Sequence, residues 1–173
     1  MTPQLPPPAP PAVVHLPERP YAALRRTVTP RSLGELADRI PEVLAWLAER
    51  GLEPAGPPFL RYELIEAEKR LVVEAGWPLA EPVAGDAAPS GVRAGTLPAG
   101  RYVTLVHRGH PAELASVIRA LLVWARERGL RWDLTRTPGG ERWGCRLESY
   151  RTDPRRRPAP TGWETELLFR LAD

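Results

Sequence analysis

A chain of 173 residues with one cysteine, one methionine and three histidines is short of the groups that several site chemistries require. Cys145 alone excludes an internal disulfide and a thiolate-based zinc site. His15, His107 and His110 form no ligand spacing with carboxylates on one helix face, so no metal and no cofactor is expected. There is no Gly-x-Ser-x-Gly turn for serine catalysis and no glycine-rich loop for phosphates. No run of about 18 apolar residues exists to span a bilayer. The N-terminus shows no basic segment followed by an apolar stretch, so no secretory signal is expected and a reducing cytoplasm is the natural reading. Lysine is nearly absent as well. Lys69 is alone among 24 basic residues, and the net charge of +3 comes from arginines spread over element faces and the short loop cluster Arg155-Arg156-Arg157. That distribution reads as a solvated surface more readily than as a nucleic-acid face.

What the chain does carry is a phrase used twice. Trp46-Leu47-Ala48-Glu49-Arg50-Gly51-Leu52 returns as Trp124-Ala125-Arg126-Glu127-Arg128-Gly129-Leu130, at an offset of 78. Glu35, Leu36, Ala37, Ile40 and Leu44 fall on Glu113, Leu114, Ala115, Ile118 and Leu122 at the same offset. Roughly 75 residues is too long for a solenoid unit and fits two modules packed together, at about 13–82 and 92–172. A pair of that kind leaves a cleft along its seam, where small molecules bind.

Residues 2–12 are proline-rich and are expected to form a disordered or polyproline-like tail. Beyond them, Val13–Leu16 and Tyr21–Val28 read as extended. Ser32 and Glu35 are spaced as a capping box, and Leu33, Leu36, Ile40, Val43, Leu44 and Leu47 follow at helical spacing. Pro41 should kink that helix or divide it, and Gly51 should stop it. Phe59–Glu66 and Leu71–Leu79 read as a hairpin, and residues 81–91 as the joint between halves. In the second half come a strand over Val92–Leu97, a strand over Arg101–His107, and a helix from about Ala112 to Arg128. A hairpin follows, of Arg131–Thr135 and Arg142–Tyr150 about the turn Pro138-Gly139-Gly140, then a last strand over Trp163–Leu171. Two strand-helix-strand-strand modules predict an α+β fold, an antiparallel concave sheet with helices on one side and a central cleft.

On its strand, Glu148 shares a face with Arg146 and Tyr150, while Trp143, Cys145 and Leu147 lie opposite. The apolar set would ordinarily turn towards the helices, leaving Glu148 solvated; a pocket-floor carboxylate is the other reading. Trp46 and Trp124 occupy equivalent helix positions and read as core. Trp77, Trp132, Trp143 and Trp163 suit either core or ligand contact, since large aromatics serve both. Cys145 reads as a small core residue.

Read in order, Gly56-Pro57-Pro58-Phe59-Leu60-Arg61-Tyr62 and Val72-Val73-Glu74-Ala75-Gly76-Trp77-Pro78-Leu79 resemble the first half of the GyrI-like small-molecule-binding domain. Leu97-Pro98-Ala99-Gly100-Arg101-Tyr102 and His107-Arg108-Gly109-His110 resemble the start of its second half. Glu148-Ser149-Tyr150-Arg151-Thr152-Asp153-Pro154 resembles its E-x-Y-x-x-x-P signature, and Trp163-Glu164-Thr165-Glu166-Leu167 its closing strand. The resemblance runs over about residues 13–171. It implies a ligand cleft with Glu148 at its floor, and Tyr150, Tyr62, Trp77, Tyr102, Trp132, Trp143, His110 and Phe59 as candidate wall residues. Gly109-His110-Pro111 departs from the family's Gly-Pro-Tyr, which removes one aromatic or replaces it by His110. No helix-turn-helix segment precedes residue 13, so direct DNA reading is not expected.

The leading expectation is a cytoplasmic domain binding bulky, aromatic, often cationic small molecules, because a carboxylate among rings matches such a ligand in charge and shape. Two alternatives use the same fold. One is a hydrolase of reactive xenobiotics with Glu148 as general acid or base and Tyr150 beside it. The other is a regulatory, gyrase-inhibitor-like module meeting a protein partner through the proline-rich tail or the basic loop; the net positive charge argues against DNA mimicry.

Overall fold

The computed structural model of the chain describes residues 9–84 and 90–173. Most of the proline-rich tail, and the centre of the joint between halves, lie outside the described residues. Ten strands form one open sheet in which every pairing is antiparallel. In chain order they are β1 (Ala12–Leu16), β2 (Arg19–Val28), β3 (Phe59–Glu66), β4 (Arg70–Pro78), β5 (Val92–Leu97), β6 (Gly100–Arg108), β7 (Leu134–Thr137), β8 (Gly140–Trp143), β9 (Arg146–Tyr150) and β10 (Glu164–Arg170). The order across the sheet is β1-β6-β10-β9-β3-β4-β2-β5, and the β7–β8 hairpin joins through β8 to the far end of β3. Helices α1 (Leu33–Ala37) and α2 (Ile40–Glu49) follow β2, and α3 (Leu114–Glu127) follows β6. The strands β3-β4-β2 and β9-β10-β6 are each consecutive across the sheet, with β3 and β9 neighbours at the centre.

Pro41 divides the first helix as its chemistry requires: it sits in the first turn of α2, where its missing N–H needs no acceptor. The capping box does not form. Ser32 itself has helical dihedrals, which turn its hydroxyl away from the amides ahead. Ser32 Oγ instead accepts from the Thr29 amide at 2.9 Å, closing the preceding turn. In the second half, Pro111–Glu113 form a 3₁₀ turn before α3, with His110 Nδ1 accepting from the Ala112 amide at 3.0 Å.

The repeated phrase adopts one local conformation twice. The Arg50 guanidinium lies 3.8 Å from the centre of the Trp46 ring, and that of Arg128 lies 4.3 Å from Trp124. Each arginine also donates to the carbonyl of its own tryptophan at 3.1 Å. Gly51 and Gly129 take φ of 67° and 68°, and the leucine after each closes back onto the helix, Leu52 to Leu47 and Leu130 to Ala125. Trp46 is buried and Trp124 half-buried, both against the core as expected.

Strand register assigns every side chain to a face. Ala22, Leu24, Leu60, Tyr62, Val73 and Ala75 pack under α1 and α2 with Leu36, Val43, Trp46 and Leu47. Val103, Leu167, Phe169 and Trp143 pack under α3 with Leu114 and Leu121. Alternation along the paired strands puts both clusters on one side of the sheet. A third cluster of Tyr21, Ala23, Phe59, Leu97, Tyr102, Cys145, Leu147 and Leu168 occupies the other side, partly covered by Val14 and Leu16 of β1. Cys145 is a buried core residue there.

A buried carboxyl and two tyrosines on the helix side

Glu148 stands on β9 opposite Leu60 of β3 and Leu167 of β10, in the middle of the sheet. Both partners point to the helix side, so Glu148 does too. Only 7% of it is exposed. The expectation that Trp143, Cys145 and Leu147 share the opposite face needs correction, as does the idea that they turn towards the helices. Cys145 and Leu147 do lie opposite Glu148, but on the side away from the helices. Trp143 joins the α3 cluster on Glu148's own side. The cause is an irregularity on both strands. β3 shifts register between Tyr62 and Leu64. Opposite it the chain breaks alternation at Gly144-Cys145, where five residue steps from Arg142 to Leu147 face three from Leu64 to Arg61. Gly144 permits it, because a Cβ there would collide with the Asp133 carboxylate.

Tyr150, two residues along and on the same face, donates to Glu148 Oε2 at 2.8 Å. Tyr62, on β3, faces the same carboxylate, and each group influences the titration of the other. Burial drives the Glu148 pKa above the carboxylate range, against the two tyrosines and the charge of Arg146. Both phenols are pushed well above their ordinary value, by burial and then by the Glu148 charge, so they remain donors.

Arg146 completes the group, and nothing but its place in the alternation singled it out in the sequence. Its guanidinium lies 4.5 Å from the Phe169 ring centre, 4.9 Å from Trp143 and 5.7 Å from Tyr62. It forms no ion pair within 4.0 Å of Glu148 among the described residues, and its buried Nε has no acceptor. Burial lowers its pKa. Glu148 is thus a carboxyl held by a neutral donor, with a cation near but unbonded.

The other sequence candidates divide by place. Trp77 is on the helix side against the α1–α2 cluster, its Nε1 donating to the Ile40 carbonyl at 3.0 Å. Trp132 and Trp143 lie 5.8 Å apart and edge onto Phe169, filling the core beneath α3. Tyr102 is fully buried on the opposite face, where its hydroxyl donates to the Pro98 carbonyl at 2.6 Å. Phe59 is on that face also, edge-on to Tyr21. His110 caps the 3₁₀ turn and stacks on Trp163 at 6.1 Å. Tyr62, Tyr150 and Glu148 are therefore brought together, Trp77 and Trp143 share their side of the sheet, and Tyr102, Phe59 and His110 stand apart.

With Glu148 and its tyrosines placed, comparison with known proteins becomes informative. The profile of the GyrI-like small molecule binding domain matches residues 9–172. The chain belongs to this family. A search of the curated proteins finds no match. Among solved structures, the GyrI-like chain superposes on EcmrR in its complex with DNA at a TM-score of 0.73 and 20% identity, with 95% of this chain and 57% of EcmrR covered. The chain thus spans little more than half of that protein. The isolated EcmrR C-terminal domain gives a TM-score of 0.68 at 18% identity, covering 95% and 98% of the two chains. SAV2435, solved bound to tetraphenylphosphonium, gives 0.62 at 11% identity, covering 95% and 94%. At such identities the likeness establishes a shared fold. No helix among the described residues is long and apolar enough to cross a membrane.

Proposed function

We propose that this GyrI-like domain binds bulky, aromatic small molecules, often lipophilic cations, over the Glu148–Tyr150–Tyr62 group on the helix side of the sheet. The observation that carries this reading is the state of Glu148: a buried carboxyl, hydrogen-bonded by the neutral Tyr150 phenol with Tyr62 beside it, and unpaired by any cation within 4.0 Å among the described residues. A carboxyl in that state is a latent charge. Ionised, it meets a cation in a medium of low polarity, where the attraction is strong. Protonated, it is tolerated in the empty site. Tyr62, Tyr150 and Trp77 offer flat faces for aromatic substituents. The ligand seen in SAV2435 has both properties, a cationic centre and aromatic rings.

The same carboxyl supports a second reading, because a raised pKa also equips it for proton transfer. In that case Glu148 acts as general acid or base toward water or a leaving group, with Tyr150 as its partner. Titration of tryptophan fluorescence with tetraphenylphosphonium, for wild type and Glu148→Gln, tests the binding reading. Saturable quenching that weakens in the variant, with a panel of neutral and cationic compounds recovered intact after incubation, supports a binding domain. Consumption of a compound by wild type but not by Glu148→Gln would make the domain a hydrolase. Equal quenching in both proteins would remove Glu148 from the site.

A further inference from the structure

A cavity of about 370 Å³ lies on the side of the sheet away from the helices. Its apolar walls include Phe59, Leu97, Leu147 and Leu168, and its polar lining includes Arg19, Ser149, Arg151 and Glu166. Leu147 and Ser149 flank Glu148 along β9 and so point the opposite way. The sheet itself separates this cavity from the carboxyl group described above.

The charges in this cavity are unequal in their satisfaction. Glu166 accepts from Arg151 at 2.6 Å and from Thr104 at 3.1 Å, so the acidic group is neutralised by its neighbours. Arg19 has no such partner. Its Nε and Nη2 are buried without an acceptor, and no carboxylate lies within 4.0 Å among the described residues. The buried N–H groups of this guanidinium forfeit hydration and gain no bond in return. The position is fixed by structure rather than by a long free side chain, because Arg19 starts β2 opposite Leu97 of β5.

We propose that this cavity is a second small-molecule site and that its ligand is a monocarboxylic acid with an apolar, preferably aromatic body. The carboxylate would pair with the Arg19 guanidinium in the fork geometry that suits both planar groups. The apolar body would rest on Phe59, Leu97, Leu147 and Leu168. One uncancelled positive charge selects a single negative charge. A phosphate dianion would bring a second charge into a mostly apolar cavity with nothing to pair it. The volume lies in the range of small-ligand sites. This site takes the charge opposite to that proposed for the Glu148 group, and neither depends on the other.

Calorimetric titration of the whole chain with 1-naphthoate, beside its neutral analogue 1-naphthalenemethanol, tests the proposal. Naphthoate is expected to bind with one-to-one stoichiometry and at least tenfold more tightly than the alcohol. Arg19→Gln should weaken naphthoate at least tenfold and leave the alcohol unchanged. Because the Arg19 side chain has no hydrogen bond or ion pair among the described residues, this variant should fold normally. Ser149→Leu, which keeps Arg19 and fills the cavity from its floor, should weaken both compounds. No binding by wild type at millimolar naphthoate would overturn the proposal, as would full affinity in both variants.

Discussion

Tyr150 donates to Glu148 across two residues of one strand, and the 2.8 Å bond spans side chains that alternation puts on the same face. A local sequence pattern, Glu-x-Tyr, thereby becomes a preorganised carboxyl site. Burial raises the Glu148 pKa and the tyrosines pull it back, so the charge on this group depends on both.

Replacement of Glu148 by Gln should weaken tetraphenylphosphonium binding about tenfold or more, equivalent to at least roughly 1.4 kcal/mol. Neutral aromatic compounds of similar size should lose much less. Parallel fluorescence titrations measure both.

Cation affinity should depend on pH in a determined direction. On the proposed binding reading the ionised form of Glu148 attracts a cation, and its pKa is raised by burial. Affinity for tetraphenylphosphonium should therefore rise with pH across a window above the usual carboxylate range, with proton release on binding. The pH profile of Glu148→Gln should be flat in that window. Calorimetry in buffers of different ionisation enthalpy counts the released proton.

Tyr150→Phe removes a donor that favours the ionised carboxylate. The Glu148 pKa should rise further, moving the pH profile of cation binding to higher pH. Folding should lose about 1 kcal/mol for the missing bond. A binding profile unchanged in position would show that the 2.8 Å bond does not tune the carboxyl.

On the other face, Glu74 governs a stability change instead. It is buried, accepts from the Tyr21 hydroxyl at 2.7 and 2.9 Å, and has the Glu63 carboxyl as a neighbour that influences its titration. Burial foremost, then Glu63, pushes its pKa from 4.5 up to about 7. Between those values the folded protein holds a proton that the unfolded chain has released, so stability should fall as pH rises from about 4.5 to about 7. The change should be of the order of a few kcal/mol. Glu74→Gln should flatten it, as followed by thermal unfolding at a series of pH values.

Gly51→Ala and Gly129→Ala should cost about 1 kcal/mol each, and nearly the same amount. Neither glycine has an atom within 4 Å of the place a Cβ would occupy, so the cost is that of the left-handed backbone alone. Denaturant unfolding of the two variants compares them. Gly144→Ala should cost considerably more, because its side chain would meet Asp133, which is bonded to Arg170 at 2.8 Å.

Much of the architecture was legible because its signals are local. The apolar spacing from Leu33 to Leu47, the proline that divides it and the glycines that end each helix depend on neighbours a few residues away. Phe59–Glu66 and Val92–Leu97 form strands at the expected bounds. The hairpin after α3 was less legible. Gly144 divides its second strand into β8 and β9, and the need for glycine there comes from Asp133, eleven positions earlier. The capping box failed for a similar reason, since Ser32 is taken by the turn at Thr29.

Sequence by itself determined most of the elements, their order, and the placing of Arg146, Glu148 and Tyr150 on a single strand face. It could not determine which face that was. Alternation gives relative orientation only, and absolute orientation depends on a register restart between β8 and β9 and on pairing with β3 and β10. The tertiary structure decided that Glu148 points under the helices beside Tyr62, a residue 86 positions away. It also decided that Tyr102 and Phe59 point to the opposite face of the sheet, and that the Arg19 side chain stands beside a cavity with no partner among the described residues. Those outcomes depend on which strands meet, and contacts between strands distant in sequence leave no periodic signal in either one.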